Sequence, residues 1–237
     1  MTRGGKLLQL ARPHIGEKYV FGALAPKNNP NWSGPWDCAE FVSWLVFQAT
    51  EILYGCDNNS GDPAKADAWT GHWARDAKKL GSIISLEQAA RTPGAAVLRA
   101  PAAQAVGHIV ISDGTGGTLE AHSTKRGVVG NTLANRRWDM GILVPGIQYE
   151  ENEVPVTVQP PKTVVYRLTQ PPMKGAGIRE LQRRLKAAAF NPGPIDGEFG
   201  AMTQAAVVAF QLSRGLIADG EVGPRTAKTL GIELAAA

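Results

Sequence analysis

The chain has 237 residues, of which 43% are hydrophobic and 19% are charged. These values are typical of a globular protein and exclude wholesale disorder. No apolar run reaches the roughly 18 residues of a membrane helix, because Arg99 interrupts the best candidate. The apolar run from Leu7 to Ala11 is shorter than a signal-peptide core of about 7–15 residues. We therefore expect neither a membrane span nor a standard cleaved leader.

The net charge of +4 is carried by the C-terminal third of the chain. Residues 1–161 contain 15 basic and 15 acidic side chains, whereas residues 162–237 contain 10 and 6. A basic module favours polyanions such as nucleic acid or an anionic cell envelope. Few aromatic side chains accompany these charges in residues 162–237, so the segment does not have the sequence pattern of a surface that stacks nucleic-acid bases. Nucleic acid is therefore not expected as a partner.

The first functional candidate is Cys38, in the segment WDCAEFVSWLVFQATEIL. Apolar positions recur there at helical spacing, and Asp37 is a suitable N-cap, so Cys38 is predicted to open a helix. A helix N-terminus favours a thiolate and lowers the pKa of a cysteine, as a nucleophile requires. The alternative is a small buried cysteine in a core helix. Cys56, which has no motif around it, is interpreted as structural.

Two histidines flank the glycine-rich segment DGTGG, which predicts a hairpin loop between alternating strands. In the symmetric register His108 faces His122, and Ser112 faces Thr118, so both imidazoles lie on one face of the sheet. We assign Cys38 as nucleophile, His108 as general base and His122 as the residue that orients it. No cofactor is needed. The competing interpretation is a metal site that also uses Glu120 and Cys38.

Residues 148–165 are predicted to form a linker, because they contain three acids in four positions, three prolines and no helical periodicity. The domain boundaries are therefore 1–147, 148–165 and 166–237. In the last domain DGEFG returns as DGEVG, and each copy is followed by a threonine, Thr203 or Thr226, that could cap a helix. A compact unit of three helices is expected.

The C-terminal segment resembles the peptidoglycan-binding domain family, through LQRRL, DGEFGAMTQAAVVAFQ and GLIADGEVGPRT between about Tyr166 and Leu230. Several turns and helices of the family pattern coincide in order, so the resemblance is specific. It implies a small all-α domain that binds bacterial peptidoglycan. Most of the glycines and apolar residues are interpreted as building the bundle rather than as binding the wall.

The first domain resembles the NlpC-type cysteine peptidases, a papain-like family of cell-wall endopeptidases. The motifs are GEKYVFG at 16–22, DCAEFV at 37–42, GHIVI at 107–111 and EAHS at 120–123. The resemblance covers about residues 3–147 and implies an α+β fold with an antiparallel sheet and an N-terminal catalytic helix. It also implies that Tyr19 lies near the active site and supports the oxyanion with the Cys38 peptide N–H.

Two departures from the family pattern follow the cysteine, where Ala39 and Glu40 replace a serine and a glycine. Substrate contacts are assigned to Trp36, Glu40 and Glu120. Trp69 and Trp73, in a long segment between residues 57 and 80, are interpreted as core residues, with a groove wall as the alternative.

These features predict a monomeric hydrolase that cuts an amide in the stem peptide of peptidoglycan. By resemblance, the bond is γ-D-glutamyl to meso-diaminopimelate. The alternatives are a CHAP-like N-acetylmuramoyl-L-alanine amidase with Glu120 as third residue, and a non-catalytic wall-binding protein. The substrate lies in the periplasm or outside the cell. Delivery by a phage lysis system, a phage tail or a specialised secretion machine is expected, and an immunity protein is a further partner hypothesis.

Overall fold

The structure is a computed structural model that describes residues 2–80, 82–101, 106–152 and 164–234. The described residues fall into two compact units, the first within 1–100 and 107–159 and the second including 164–234. In these parts of the chain, no helix has the length and apolar character that crossing a membrane requires.

The first unit combines helices with antiparallel strands, as predicted. Its elements in chain order are β1 (Thr2–Arg3), α1 (Gly5–Ala11), α2 (Cys38–Thr50), α3 (Thr70–Lys79), β2 (Ile83–Ile84), α4 (Leu86–Arg91), β3 (Ala96–Arg99), β4 (His108–Ser112), β5 (Gly117–Ser123), β6 (Gly127–Thr132), β7 (Met140–Ile142) and β8 (Ile147–Gln148). The main sheet has the order β2-β7-β3-β4-β5-β6 with antiparallel neighbours throughout. Strands β1 and β8 form a separate parallel pair.

Helix α2 is the central helix of this unit. The side chain of Asp37 accepts a hydrogen bond of 2.8 Å from the Glu40 peptide N–H, which is the predicted N-cap. Every residue from Cys38 to Val46 is buried, so the helix is enclosed on all sides rather than along one stripe. It ends at Glu51, which adopts a left-handed conformation.

The hairpin of β4 and β5 has the predicted register, because Ser112 pairs with Thr118. The carboxylate of Asp113 closes the loop by accepting the peptide N–H groups of Thr115 at 2.7 Å and Gly117 at 2.9 Å. Alternation along the strands gives the sheet two buried faces. One face carries Ile109, Ile111, Leu119 and Ala121 against α2, and the other carries Val97 and Val110 beside Leu133 and Trp138.

The first unit continues past the predicted boundary at residue 147. Gln148 pairs with Arg3, and the Asn152 peptide N–H donates to the Arg91 carbonyl at 2.8 Å. The Asn152 side chain also donates to the Gly114 carbonyl at 2.7 Å. Residues 148–152 therefore pack on the first unit. Residues 153–163 of the predicted linker lie outside the described residues.

The second unit contains three helices, as predicted: α5 (Ala176–Ala187), α6 (Ala201–Ser213) and α7 (Pro224–Leu230). Their apolar faces meet in a small core around Ile178, Leu181, Phe199, Phe210 and Leu230.

The repeated DGE segments form two copies of one hydrogen-bond network. In the first copy Gln182 donates to the Asp196 carboxylate at 2.9 Å, to the Glu198 carbonyl at 3.0 Å and to the Thr203 hydroxyl at 3.2 Å. Its amide oxygen accepts the Gly197 peptide N–H at 2.8 Å. One buried glutamine thus satisfies the polar groups of the turn and ties it to the following helix.

In the second copy Gln211 donates to Asp219 at 2.7 Å, to the Glu221 carbonyl at 2.8 Å and to Thr226 at 3.1 Å. Its amide oxygen accepts the Gly220 peptide N–H at 2.9 Å. The network explains why aspartate, glycine and threonine recur at fixed spacing.

The two threonines, however, do not cap their helices as predicted. The N-caps are Gly200 and Gly223, and neither makes a side-chain capping bond. Thr203 and Thr226 lie one turn further on, where their hydroxyls accept the glutamine N–H groups.

Candidate active site

The Cys38 thiol lies at the first residue of α2 and is buried. Burial raises its pKa to about 12, and the neighbouring Asp37 carboxylate adds to this effect. The peptide N–H of Ile109, the charge of Arg99 and the peptide N–H of Ala39 act in the opposite direction. The predicted lowering of the pKa by the helix N-terminus is therefore wrong, because water that would solvate a thiolate is excluded. The resting side chain is a thiol.

The start of β4 lies beside the candidate nucleophile. The Ile109 peptide, which faces the Cys38 sulfur, directly follows His108. Arg99 pairs with His108 across β3 and β4, so its positive charge acts on both groups.

The His108 ring is hydrogen-bonded to a carboxylate. Its Nε2 lies 2.5 Å from Oε2 of Glu120, and both side chains are buried. Burial lowers the pKa of His108, opposed by Glu120, whereas Arg136 and Arg99 add to the lowering. A carboxylate only accepts hydrogen bonds, so the proton of the neutral ring sits on Nε2 and Nδ1 keeps its lone pair. His108 is thus a neutral imidazole with one nitrogen available as a base.

Glu120 is itself held in place by three further contacts. Arg136 donates to both carboxylate oxygens, from Nη1 to Oε1 at 2.7 Å and from Nη2 to Oε2 at 2.8 Å. The Thr118 hydroxyl donates to Oε1 at 3.0 Å. Burial alone would raise the pKa of Glu120, but Arg136 and His108 outweigh it and hold the pKa well below its usual value. Glu120 is therefore a carboxylate, and its full burial speaks against the predicted direct contact with substrate.

His122, predicted to orient His108, lies near this group. Its ring centroid is 6.2 Å from that of His108, while its Nδ1 lies 2.9 Å from the Ser123 hydroxyl. Burial lowers its pKa to about 3. The group hydrogen-bonded to Nε2 of His108 is the carboxylate of Glu120.

Tyr19 lies in the same region as Cys38, since the charge of Cys38 acts on its phenol. Burial raises the pKa of its phenol, and the charges of Cys38 and Asp37 raise it further. Tyr19 pairs with Trp36 in an isolated bridge, which ties the loop before α2 to the segment that carries the cysteine. Its hydroxyl is thus neutral and can donate a hydrogen bond.

Glu40 is an internal anchor rather than a substrate contact. It is fully buried and forms an ion pair with Lys27, which is also fully buried. Its carboxylate further accepts the peptide N–H groups of Ala25 at 2.7 Å and Ala68 at 2.5 Å. Because no part of Glu40 is exposed, the structure contradicts the predicted contact with substrate.

Trp36 is likewise enclosed. Its ring packs against His14, Phe41 and Trp44, and its Nε1 donates to Glu17 at 2.5 Å. The predicted substrate contact is not available to a side chain with no exposed surface. The ring instead supports the loop that positions Tyr19.

The two tryptophans of the 57–80 segment differ from each other. Trp73 is fully buried and donates from Nε1 to the Ser43 hydroxyl at 2.9 Å, which confirms its prediction as a core residue. Trp69 is 48% exposed, so its prediction as a core residue is wrong. Its neighbours Ala68 and Thr70 contact Glu40 on α2 and Gly107 before β4, respectively. Trp69 therefore lies at the rim between the elements that carry Cys38 and His108.

Two functional candidates escaped the sequence analysis. Arg136 follows β6 in a segment without periodicity, and only its tertiary pairing with Glu120 reveals it. Lys27 lies in a loop, where a lysine is normally exposed. The sequence analysis assigned Glu120 to substrate contact and, in the alternative amidase, to the third catalytic position. The available signal was the predicted register, which places Glu120 on the same face of the sheet as His108. Among the described residues, no group of three or more His, Cys, Asp or Glu side chains is arranged to hold a metal ion.

Comparison with known proteins finds the peptidoglycan-binding family predicted for the C-terminal segment. A family model described as a putative peptidoglycan binding domain matches residues 174–230, within the three-helix unit. Similar curated proteins include the N-acetylmuramoyl-L-alanine amidase CwlL of Bacillus licheniformis, 41% identical over 76 residues, and CwlM of Mycobacterium tuberculosis, 36% identical over 98 residues. These matches cover 30% and 38% of this chain but only 21% and 23% of the relatives. The chain thus spans about a fifth of the length of these relatives.

Similar solved structures are NlpC/p60 domains. The domain of the peptidoglycan hydrolase SagA is 20% identical with a TM-score of 0.44, and the match covers 60% of this chain and 99% of that one. The P60 domain of an antigen from M. avium subspecies paratuberculosis is 18% identical with a TM-score of 0.40, covering 59% of this chain and 91% of that one. NlpC1 from Trichomonas vaginalis is 16% identical with a TM-score of 0.42, covering 62% and 45%.

Proposed function

We propose that this protein is a peptidoglycan hydrolase in which Cys38 attacks an amide of the stem peptide while the C-terminal unit binds the wall. One observation carries the proposal. A thiol at a helix N-terminus meets the strand whose histidine is hydrogen-bonded to a buried carboxylate. A nucleophile, a base and a residue that orients the base are the parts that acyl transfer requires.

The reaction follows from the resting charges. Because the thiol and the imidazole are both neutral, Nδ1 of His108 takes the Cys38 proton as sulfur attacks the carbonyl carbon. The Cys38 peptide N–H and the Tyr19 hydroxyl stabilise the oxyanion. His108 then returns the proton to the leaving amine as the carbon–nitrogen bond breaks and a thioester remains. Water attacks the thioester, its proton passes through His108 to the sulfur, and the carboxylate product leaves.

Glu120 has the orienting role in this mechanism, and His122 does not. The carboxylate accepts the Nε2 proton at 2.5 Å, which fixes the tautomer, and it stabilises the imidazolium that forms during proton transfer.

Binding to peptidoglycan is supported by the family model over residues 174–230 and by the basic charge of this unit. The bond proposed for cleavage is γ-D-glutamyl to meso-diaminopimelate, as the resemblance of the first unit implies. The site of action is the cell wall, in the periplasm or outside the cell.

A second candidate function is N-acetylmuramoyl-L-alanine amidase activity. The amidase alternative uses Cys38 and His108 together with Glu120 as the third residue. It is favoured by the hydrogen bond between His108 and Glu120. The names of the curated relatives point to the same bond, although the matches cover about a fifth of those proteins.

Product analysis separates these possibilities. The full chain is incubated with sacculi that contain diaminopimelate, and soluble products are identified by mass spectrometry, with Cys38→Ala and Cys56→Ala in parallel. Cys56 is a buried free cysteine outside the site and is the matched control. Fragments cut within the stem peptide establish the endopeptidase, and intact free stem peptides establish the amidase. If wild type releases nothing yet sediments with sacculi, the chain is a wall-binding protein and the catalytic proposal fails.

A further inference from the structure

Arg136 contacts both neighbours of the His108 ring. Its guanidinium forms a two-pronged ion pair with Glu120 at 2.7 and 2.8 Å. Its Cζ also lies 4.5 Å from the centre of the Trp138 ring, and Trp138 stacks on His108 with ring centroids 6.1 Å apart at 29°. Arg136 therefore contacts two side chains that both touch His108, namely the carboxylate of Glu120 and the indole of Trp138.

We propose that Arg136 is a positioning residue that keeps Glu120 ionised and thereby holds His108 in the tautomer that can accept the Cys38 proton. The inference rests on the proposed function, because the base matters only if Cys38 is the nucleophile. It extends that function by a residue outside the predicted set of Cys38, His108 and His122.

The charge of Glu120 depends on Arg136. A fully buried carboxyl without a cation would favour its protonated form. A protonated Glu120 could donate its own proton to Nε2 of His108, which would move the ring proton to Nδ1. The nitrogen that must accept the thiol proton would then be occupied. Arg136 stabilises the ionised form of Glu120 and so keeps the His108 ring proton on Nε2.

The geometry requires arginine and not simply a positive charge. A guanidinium is planar, so it can bind both carboxylate oxygens in a fork and lie against an indole at the same time. Lysine could supply the charge at one oxygen but could not do both. With lysine at this position the Glu120 carboxylate could rotate, whereas the two hydrogen bonds from Arg136 fix its orientation.

Several charged or titratable groups act on this pair from the surrounding elements. For His108 they are Glu120, Arg136 and Arg99. For its neighbour His122 they are Glu120, His108, Arg126 and Arg136. Removing Arg136 takes away a cation that disfavours imidazolium, so the pKa of His108 rises if Glu120 stays ionised. If Glu120 instead takes up a proton, the base is lost until the pH rises. Both responses move the acid limb of the activity profile to higher pH.

The test compares wild type with Arg136→Met, Arg136→Lys and the control Arg137→Met. Arg137 is the adjacent arginine, pairs with Asp139 at 2.5 Å, and is not among the charges named as shifting the pKa of His108 or Glu120. The kinetic readouts are kcat, KM and the pH profile with soluble peptidoglycan fragments. The second readout is the pH titration of His108 by nuclear magnetic resonance in the intact protein, which needs no substrate. Thermal unfolding establishes that each variant is folded.

For Arg136→Met we expect kcat to fall about 10- to 100-fold with little change in KM, a smaller loss than for an orienting carboxylate itself. We also expect the acid limb and the His108 titration to change, with partial recovery in Arg136→Lys and none of these effects in Arg137→Met. An unchanged His108 titration and pH profile in Arg136→Met would overturn the proposal. If wild type does not hydrolyse peptidoglycan, the proposed function fails, and the titration still decides the role of Arg136.

If Arg136→Met does not fold, Arg136→Lys carries the test alone. It retains the charge, so a wild-type pH profile, kcat and His108 titration in this variant would contradict the requirement for a fork.

Discussion

Nε2 of His108 lies 2.5 Å from Oε2 of Glu120, and this contact determines which nitrogen of the ring can act as a base. The carboxylate accepts the Nε2 proton, so the lone pair remains on Nδ1. Nδ1 of the neighbouring His122 lies 2.9 Å from the Ser123 hydroxyl.

Glu120 and His122 are expected to differ in their effect on catalysis. Glu120→Gln should lower kcat/KM by about 10²- to 10⁴-fold, because loss of the carboxylate removes both the tautomer control and the stabilisation of imidazolium. His122→Asn should stay within about threefold of wild type, because Glu120 still contacts Nε2 of His108 in this variant. Steady-state rates on peptidoglycan fragments check both. Equal losses in the two variants would restore His122 as the orienting residue.

The pH dependence of the reaction should reflect a neutral resting pair. The base works when His108 is neutral, which is the case above its pKa, and burial places that pKa below its ordinary value. We therefore expect the acid limb of kcat/KM to lie below about pH 6.5.

Alkylation of Cys38 by iodoacetamide gives the matching test of the thiol. Burial raises the pKa of Cys38 to about 12, so the alkylation rate should keep rising with pH beyond about pH 9. Mass spectrometry separates this reaction from that of Cys56. A plateau near neutral pH would instead indicate a thiolate paired with imidazolium and would contradict a neutral resting pair.

The Lys27–Glu40 pair should be important for stability and should not contribute to substrate binding. Lys27→Met leaves a buried carboxylate without its cation and should lower the free energy of unfolding by about 3–5 kcal/mol. Replacing both residues, as Lys27→Met with Glu40→Leu, should recover part of this loss because no charge is then left buried. Denaturant unfolding of the single and double variants measures the coupling. Additive losses would mean that the two side chains act independently.

Trp69 and Trp73 form a matched pair for testing a substrate groove. Trp73→Ala should lower the free energy of unfolding by about 3–5 kcal/mol, as expected for a buried aromatic residue. Trp69→Ala should change stability by less than about 1 kcal/mol, because half of the side chain is exposed.

If Trp69 contacts substrate, its replacement should raise KM while kcat stays near wild type. Thermal unfolding and steady-state kinetics on the same two variants provide the measurements. An unchanged KM in Trp69→Ala would remove this residue from the groove.

The sequence by itself determined the local helices and turns and the positions of the candidate catalytic residues along the chain. The helix at Cys38, the hairpin around DGTGG and the three-helix unit follow from short-range patterns: an N-cap, a glycine-rich loop and helical spacing. The register at Ser112 and Thr118 followed from the same rules. Such features depend on residues near one another in sequence, so they can be read before folding is considered.

Tertiary structure alone decided which side chains meet and which lie in water. Burial turned the expected thiolate of Cys38 into a thiol, and it enclosed Glu40 with Lys27 away from substrate. Arg136 binds Glu120 from a different segment of the chain, and the carboxylate of Glu120 contacts Nε2 of His108. These outcomes depend on desolvation and on distances between residues remote in sequence, which no local pattern encodes.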